Sequence, residues 1–159
     1  MQFKQAIQAL SDSGVDFIVI GGVAAMLHGS DRFTSDLDIF YSRSKTNLNR
    51  LKHALAPFHP RPLGFPPEFP FVWDEATLRN SSVLTLKTDI GNVDLLAEVA
   101  GLGTYEETKA RAKIADAFGR RVALLDIRSL ILAKRAAGRD KDLLVIPELE
   151  SLMEAEERS

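Results

Sequence analysis

The amino-acid sequence predicts an α/β (α+β) domain in which a small mixed β-sheet is flanked by helices. An apolar run at residues 15–20 is followed at once by Gly21, Gly22 and a short helical segment, which is typical of a strand–turn–helix unit. Two later pairs of β-prone segments are each joined by a glycine-containing turn, and each pair predicts a hairpin. Amphipathic helical spacing accounts for most of the remaining chain.

Apolar spacing and breaking residues set the bounds of each predicted element. We expect helices at residues 1–13, 23–27, 45–56, 75–78, 104–112, 127–137 and 141–157, the last interrupted at Pro147, and strands at residues 15–20, 36–41, 83–88, 93–99, 115–118 and 121–125. Ser44, Asp74 and Asp126 each precede a helical segment and are good N-caps. Gly14 and Gly138 follow helical segments, where glycine commonly ends a helix.

A proline-rich segment interrupts this pattern. Residues 57–70 contain six prolines, which exclude a helix or a central strand. The segment also carries several large apolar residues, so we expect it to pack on the body of the domain and to form the wall of a pocket.

Length and composition indicate one ordinary globular domain over residues 1–159. The chain is 45% hydrophobic and 26% charged, its net charge is −2, and it has no cysteine, which excludes disulfides and thiolate metal sites. No stretch resembles a signal peptide or a membrane span, so we expect a cytoplasmic protein. Residues 39–67 hold five basic residues and no acidic one, which fits either a surface that follows a phosphate backbone or a solvated helix face.

Two carboxylates, Asp36 and Asp38, alternate with apolar residues in the second predicted strand. Residues two apart share a face, so these carboxylates would lie about 7 Å apart and repel each other. A hard divalent cation such as Mg²⁺ removes that repulsion. Most Asp-x-Asp pairs are simply exposed, but Gly21 and Gly22 lie just upstream, where backbone N–H groups can approach an anion. Asp94 is a third carboxylate on an otherwise apolar strand, with Asp89 as a rival nearer a turn.

These residues resemble the signature of the nucleotidyltransferase superfamily, which has a DNA polymerase β-like fold. The signature is an apolar residue and Gly-Gly or Gly-Ser, about a dozen residues, and Asp-apolar-Asp-apolar. Here Ile20-Gly21-Gly22 is separated by thirteen residues from Asp36-Leu37-Asp38-Ile39. The wider string, with His28-Gly29, Arg32 and Thr34, resembles the small bacterial branch of AbiEii-type toxin nucleotidyltransferases.

The resemblance implies a role for each of these residues. Asp36, Asp38 and Asp94 would be the catalytic residues and the ligands of Mg²⁺ or Mn²⁺. Gly21, Gly22, Arg32, Thr34 and Lys134 would bind the nucleotide, although Arg32 and Thr34 are as readily explained as residues that hold their loop in place. Lys134 belongs to a Lys…Arg-x-Lys-Asp pattern that continues with Arg139, Lys141 and Asp142, and its alternative is a basic helix C-terminus favoured by the helix dipole.

The implied activity is metal-dependent transfer of a nucleoside monophosphate from an NTP to a hydroxyl of an RNA end, such as that of tRNA, or of a protein side chain. The same resemblance suggests a toxin with an antitoxin partner, and the short chain suggests a partner or a homo-oligomer. The alternative is a module that keeps the fold and binds a nucleotide or a partner without catalysis. No membrane association is expected.

Overall fold

Seven strands form one mixed sheet in the computed structural model, which describes residues 1–159. The strands are β1 (Phe17–Ile20), β2 (Leu37–Tyr41), β3 (Arg61–Pro62), β4 (Val83–Thr88), β5 (Gly91–Leu96), β6 (Lys113–Ala117) and β7 (Arg120–Leu124). Their order across the sheet is β3-β4-β5-β2-β1-β7-β6. Strand β2 is parallel to β5 and β1 is parallel to β7, whereas all other neighbours are antiparallel.

Eight α-helices connect and cover the strands. They are α1 (Phe3–Asp12), α2 (Gly21–Leu27), α3 (Lys45–Leu55), α4 (Glu75–Arg79), α5 (Tyr105–Arg111), α6 (Ile127–Ala137), α7 (Asp140–Leu143) and α8 (Ile146–Glu157), with a short 3-10 turn at Ala56–Phe58. The predicted caps are confirmed, since Ser44, Asp74 and Asp126 each accept a hydrogen bond from a backbone N–H in the first turn of the following helix. None of the helices is both long and apolar enough to cross a lipid bilayer.

The predicted fold class and both hairpins are confirmed, but several bounds differ. Helix α2 begins at Gly21 rather than at residue 23, and β5 covers Gly91–Leu96 rather than 93–99. Strand β2 begins at Leu37, so Asp36 lies in the bend before the strand and not in it. The proline-rich segment contributes only the two-residue edge strand β3, because proline cannot donate to a ladder within the sheet. It also lines a cavity of about 560 Å³, as expected.

The pleat of β2 and β5 separates the core from the carboxylates. Leu37 and Ile39 on β2 and Val93 and Leu95 on β5 are fully buried on one face. The intervening residues point to the other face, because successive side chains in a strand alternate. Burial of the apolar residues therefore sets the register, and this register turns the carboxylates toward the opposite face of the sheet.

Asn47 joins α3 to the ends of the two central strands. Its side chain is almost fully buried and accepts a hydrogen bond from the N–H of Asp16 at 2.7 Å. Its amide donates to the carbonyl oxygens of Asp16 and Ser42 at 3.0 and 2.7 Å. One side chain thus satisfies backbone groups just before β1 and just after β2, which keeps this antiparallel pair aligned.

Replacement of Asn47 by alanine should lower the free energy of unfolding by about 2–4 kcal/mol, because buried backbone groups lose their partners. Urea denaturation measures this change. Asn49→Ala is the matched control, since Asn49 lies on the same helix and is exposed, and it should change stability by no more than about 0.5 kcal/mol. Equal losses in the two variants would contradict the structural role of Asn47.

Candidate active site

Asp38 and Asp94 face each other at the centre of the sheet. Asp38 pairs with Asp94 across the parallel β2–β5 ladder, and with Ile20 across the β1–β2 ladder. Directly paired residues point to the same face, so the two carboxylates are neighbours. The Oδ1 atom of each is buried and has no hydrogen-bond partner. Such atoms are costly inside a protein unless a cation or a proton donor meets them.

The surroundings of Asp38 disfavour its ionised form. Burial raises the pKa of Asp38 to about 8, and a hydrogen bond to Asp94 and the negative charges of Asp94 and Asp36 add to this increase. The positive charge of Lys134 lowers the pKa, but by less than the other effects raise it. Full ionisation of these carboxylates would therefore leave an excess of negative charge, which a proton or a cation neutralises.

Asp36 reaches the same region from the bend before β2. Its carboxylate is half-buried, and Ser35 Oγ donates to Asp36 Oδ1 at 3.2 Å. Thr34 Oγ1 donates to the backbone oxygen of Asp36 at 3.3 Å. Asp36 is therefore positioned by its loop rather than by the strand, which is a correction to the expectation that the ladder holds both residues of the Asp-x-Asp pair.

The two glycines leave room for these side chains. Gly21 has φ +65°, and a Cβ atom there would collide with Asp38 Oδ2. A Cβ atom at Gly22 would lie 2.6 Å from Thr34 Oγ1. Any larger residue would displace the carboxylate or the loop, so the start of α2 and the carboxylates form one unit. Helix α2 has only seven residues, so few peptide dipoles add at its N-terminus.

Gly21, Gly22 and Thr34 also line a cavity of about 140 Å³, together with Lys134 from α6. The structure thus brings all five predicted nucleotide-binding residues to one cavity, since Arg32 lines it as well. Thr34 and Arg32 both make contacts within the protein that hold their loop.

A buried carboxylate positions Lys134. Asp142, whose side chain is 2% exposed, lies 3.4 Å from Lys134 Nζ and 2.6 Å from Arg139 Nε. The hydrogen bond from Arg139, with that from Lys134, lowers the pKa of Asp142 to about 2 despite the opposing effect of burial. Asp142 therefore stays ionised and holds the lysine at the cavity, so Lys134, Arg139 and Asp142 of the sequence pattern form one ion-pair cluster, whereas Lys141 is exposed.

Sequence reasoning missed the other residues of the cavity, among them the polar Ser30 and Glu148 and the aromatic Phe33. Glu148 on α8 accepts hydrogen bonds from Ser30 Oγ and Arg32 Nε. These bonds join residues more than 110 positions apart, so no local pattern could have revealed them. Phe33 is 92% exposed at the cavity rim, and its position between Arg32 and Thr34 was the only signal that the sequence offered.

The carboxylate oxygens of the site are suitable ligands for a divalent cation, although they do not form a complete coordination shell. No group of three or more His, Cys, Asp or Glu side chains is arranged as a preformed metal site. Even so, the two orphaned carboxylate oxygens of Asp38 and Asp94 are the hard ligands that Mg²⁺ and Mn²⁺ prefer, and Mg²⁺ commonly uses one or two protein carboxylates with substrate phosphates. The rival Asp89 is exposed at the β4–β5 turn and pairs with His59, away from this cluster.

Similar solved structures identify the fold of this chain. The solution structure of the antibiotic-resistance factor ANT(2'')-Ia matches with a TM-score of 0.50 at 13% identity, over 98% of this chain and 93% of that chain. The chain has a nucleotidyltransferase fold. A crystal structure of ANT(2'')-Ia with adenylyl-2''-tobramycin is also similar, with a TM-score of 0.47, 13% identity and coverage of 94% and 95%.

A sequence family matches only the N-terminal third of the chain. The family described as "Nucleotidyl transferase of unknown function (DUF2204)" matches residues 1–53, which include both glycines and the first two carboxylates. No curated protein matches the chain in sequence. The resemblance to the AbiEii-type branch is not tested by these comparisons and stays a prediction.

The raised pKa of Asp38 predicts a pH-dependent stability. Since the folded-state pKa is about 8 against an ordinary 3.8, the folded metal-free protein retains a proton that the unfolded chain releases. The free energy of unfolding should therefore fall as the pH rises from about 4 to about 8. Urea denaturation in EDTA should show a smaller fall for Asp38→Asn than for the wild type. Identical pH slopes would contradict the raised pKa.

Proposed function

We propose that this protein is a metal-dependent nucleotidyltransferase that moves a nucleoside monophosphate from an NTP to a hydroxyl acceptor. The observation that carries the proposal is the pair formed by Asp38 and Asp94, in register on adjacent parallel strands and each with a buried, unpartnered oxygen. A nucleotidyltransferase fold and the match of residues 1–53 to a nucleotidyltransferase family support it.

Asp36, Asp38 and Asp94 are the residues that would hold Mg²⁺ or Mn²⁺. Bound there, the metal would supply Lewis-acid chemistry, which lowers the pKa of the attacking hydroxyl and stabilises charge on the phosphates. Asp38 must be ionised to act as a ligand, so its high pKa in the metal-free protein couples metal binding to proton release.

The remaining residues bind and orient the substrate. Lys134, held by Asp142 at the cavity and close enough to influence Asp38, is the cation that would neutralise the triphosphate. Gly21 and Gly22 keep the space beside the carboxylates open, and the Thr34 hydroxyl and Arg32 lie on the same wall. Positioning and electrostatic stabilisation are the main requirements of phosphoryl transfer, so few further catalytic groups are needed.

The acceptor would approach over the sheet face beyond Asp94. Thr85 pairs with Asp94 on β4, and Lys87, two residues further, points to the same face and is exposed. Asp94, the carboxylate nearest that side, would orient the acceptor hydroxyl. An RNA end such as that of tRNA, or a protein side chain, are the acceptor classes that we propose, with an antitoxin or a second copy of the chain as a partner.

A thermal-shift assay with each of the four NTPs tests the nucleotide site without knowledge of the acceptor. A ligand at a hundred times its Kd stabilises the folded state by about 2.7 kcal/mol, which corresponds to about 5–10 °C for a domain of this size. The wild type should show this shift with Mg²⁺, and Asp38→Asn should lose it together with pyrophosphate release. Asp89→Asn is the matched control and should behave as the wild type, since Asp89 lies at the distant turn.

The results separate the proposed enzyme from the alternative. A Mg²⁺-dependent shift without pyrophosphate release, in the presence of cellular RNA and protein as acceptors, would favour a non-catalytic nucleotide-binding module. Absence of any shift, or activity of Asp38→Asn close to that of the wild type, would contradict the assignment of the carboxylates.

The proposed toxin role makes a separate prediction in cells. Expression of the protein alone should slow bacterial growth, because uncontrolled modification of an RNA or a protein depletes an essential component. Asp36→Ala should restore growth, whereas Asp89→Ala at equal expression should not. Normal growth with soluble, active wild-type protein would exclude the toxin role and leave the proposed chemistry unaffected.

A further inference from the structure

We propose that Phe33 is the residue on which the base of the NTP stacks, an inference that rests on the proposed function and assigns the nucleoside end of the same site. Phe33 is the aromatic residue among those that line the cavity with Gly21, Gly22 and Lys134. Its side chain is 92% exposed, more than any other large hydrophobic residue of the chain. A ring so placed offers a free face beside the residues proposed to take the phosphates.

The loop that carries Phe33 is held on both sides of the ring. On one side, the N–H of Arg32 donates to Ser30 Oγ at 3.2 Å, and the Arg32 guanidinium pairs with Glu148 on α8. On the other side, the Thr34 hydroxyl donates to the backbone of Asp36 and the side chain lies against Gly22. The exposure of Phe33 is therefore imposed by fixed neighbours and does not come from a loop that lacks contacts.

The other cavity residues fit a nucleoside better than a second phosphate group. Leu130, Val145 and Leu149 provide apolar contacts, and Glu148 is an ionised carboxylate because its hydrogen bonds to Ser30 and Arg32 lower its pKa. The charge of Glu148 is paired with Arg32, and its carboxylate oxygens have further lone pairs that can accept hydrogen bonds from ribose hydroxyls and base amino groups. The cavity of about 140 Å³ is smaller than the 300–1,000 Å³ pockets that enclose whole drug-sized ligands, so it would hold part of a nucleotide.

Aromatic stacking suits this position because it tolerates every base. Each base has a π-face, and loss of a stacking aromatic side chain weakens binding by roughly tenfold or more per base. Phe33 would thus contribute affinity for all four NTPs, while the polar groups around Glu148 would discriminate among them.

Calorimetric titration of the protein with each NTP and with inorganic tripolyphosphate, in Mg²⁺, tests this assignment. Phe33→Ala should raise the Kd of the NTPs about tenfold and leave the Kd of tripolyphosphate unchanged, since tripolyphosphate has no base. Phe33→Trp should retain or improve NTP binding. Lys134→Ala should weaken both ligands. The matched control is Phe69→Ala, which removes another exposed ring from the proline-rich segment and should bind both ligands as the wild type does.

Two outcomes would overturn the inference while the proposed function stands. One is wild-type NTP affinity in Phe33→Ala. The other is an equal loss of NTP and tripolyphosphate binding in Phe33→Ala, which would indicate a distorted loop and not a lost stack. Binding of neither ligand to the wild type would overturn the inference and the proposed function together. Melting temperatures establish that the variants are folded, and that of Phe33→Ala should equal the wild-type value because the side chain is exposed.

Discussion

The juxtaposition of Asp38 and Asp94 is the constraint on which the site depends. Two carboxylates in register on adjacent strands repel each other, and burial raises the cost of ionising them. Nothing in the ladder requires this pair, since apolar residues at both positions would pack with less cost. The core residues on the opposite face set the register, and the carboxylates are held together by that register. The fold therefore stabilises an arrangement that is unfavourable until a cation or a proton enters it.

Other features of the site follow from this concentration of charge. Gly21 must lack a side chain because Asp38 occupies the space that a Cβ atom would need. Lys134 carries a positive charge that acts on Asp38, and Asp142 keeps it in place through an ion pair that also includes Arg139. The lysine only partly compensates for the negative charges, because the pKa of Asp38 remains raised. The residual negative charge would attract a divalent cation, whereas the positive charge of Lys134 would attract the triphosphate.

Local sequence signals predicted most of the fold because each signal has a local cause. The Asp126 cap and the Gly138 stop bound α6 as expected, and the turn at Gly91 placed the β4–β5 hairpin. The bounds of β2 and α2 were less accurate, because hydrogen bonds around Asp36 and the packing of Gly21 against Asp38 determine them. Glu148 was not predictable, since its role arises from contacts across more than 110 residues. Phe33 lies between two predicted site residues, but its exposure is a tertiary property.

The residues of the candidate site come from both the part of the chain that matches the family and the part that does not. The family match covers residues 1–53, and therefore both glycines, Asp36, Asp38 and the loop with Phe33. Asp94, Lys134 and Glu148 lie outside it, on β5, α6 and α8. Yet Asp94 pairs with Asp38, Lys134 influences the pKa of Asp38, and Glu148 binds Arg32. The remainder of the chain thus completes the matched part at Asp38 and Arg32, and this complementarity supports a working site more strongly than the signature alone.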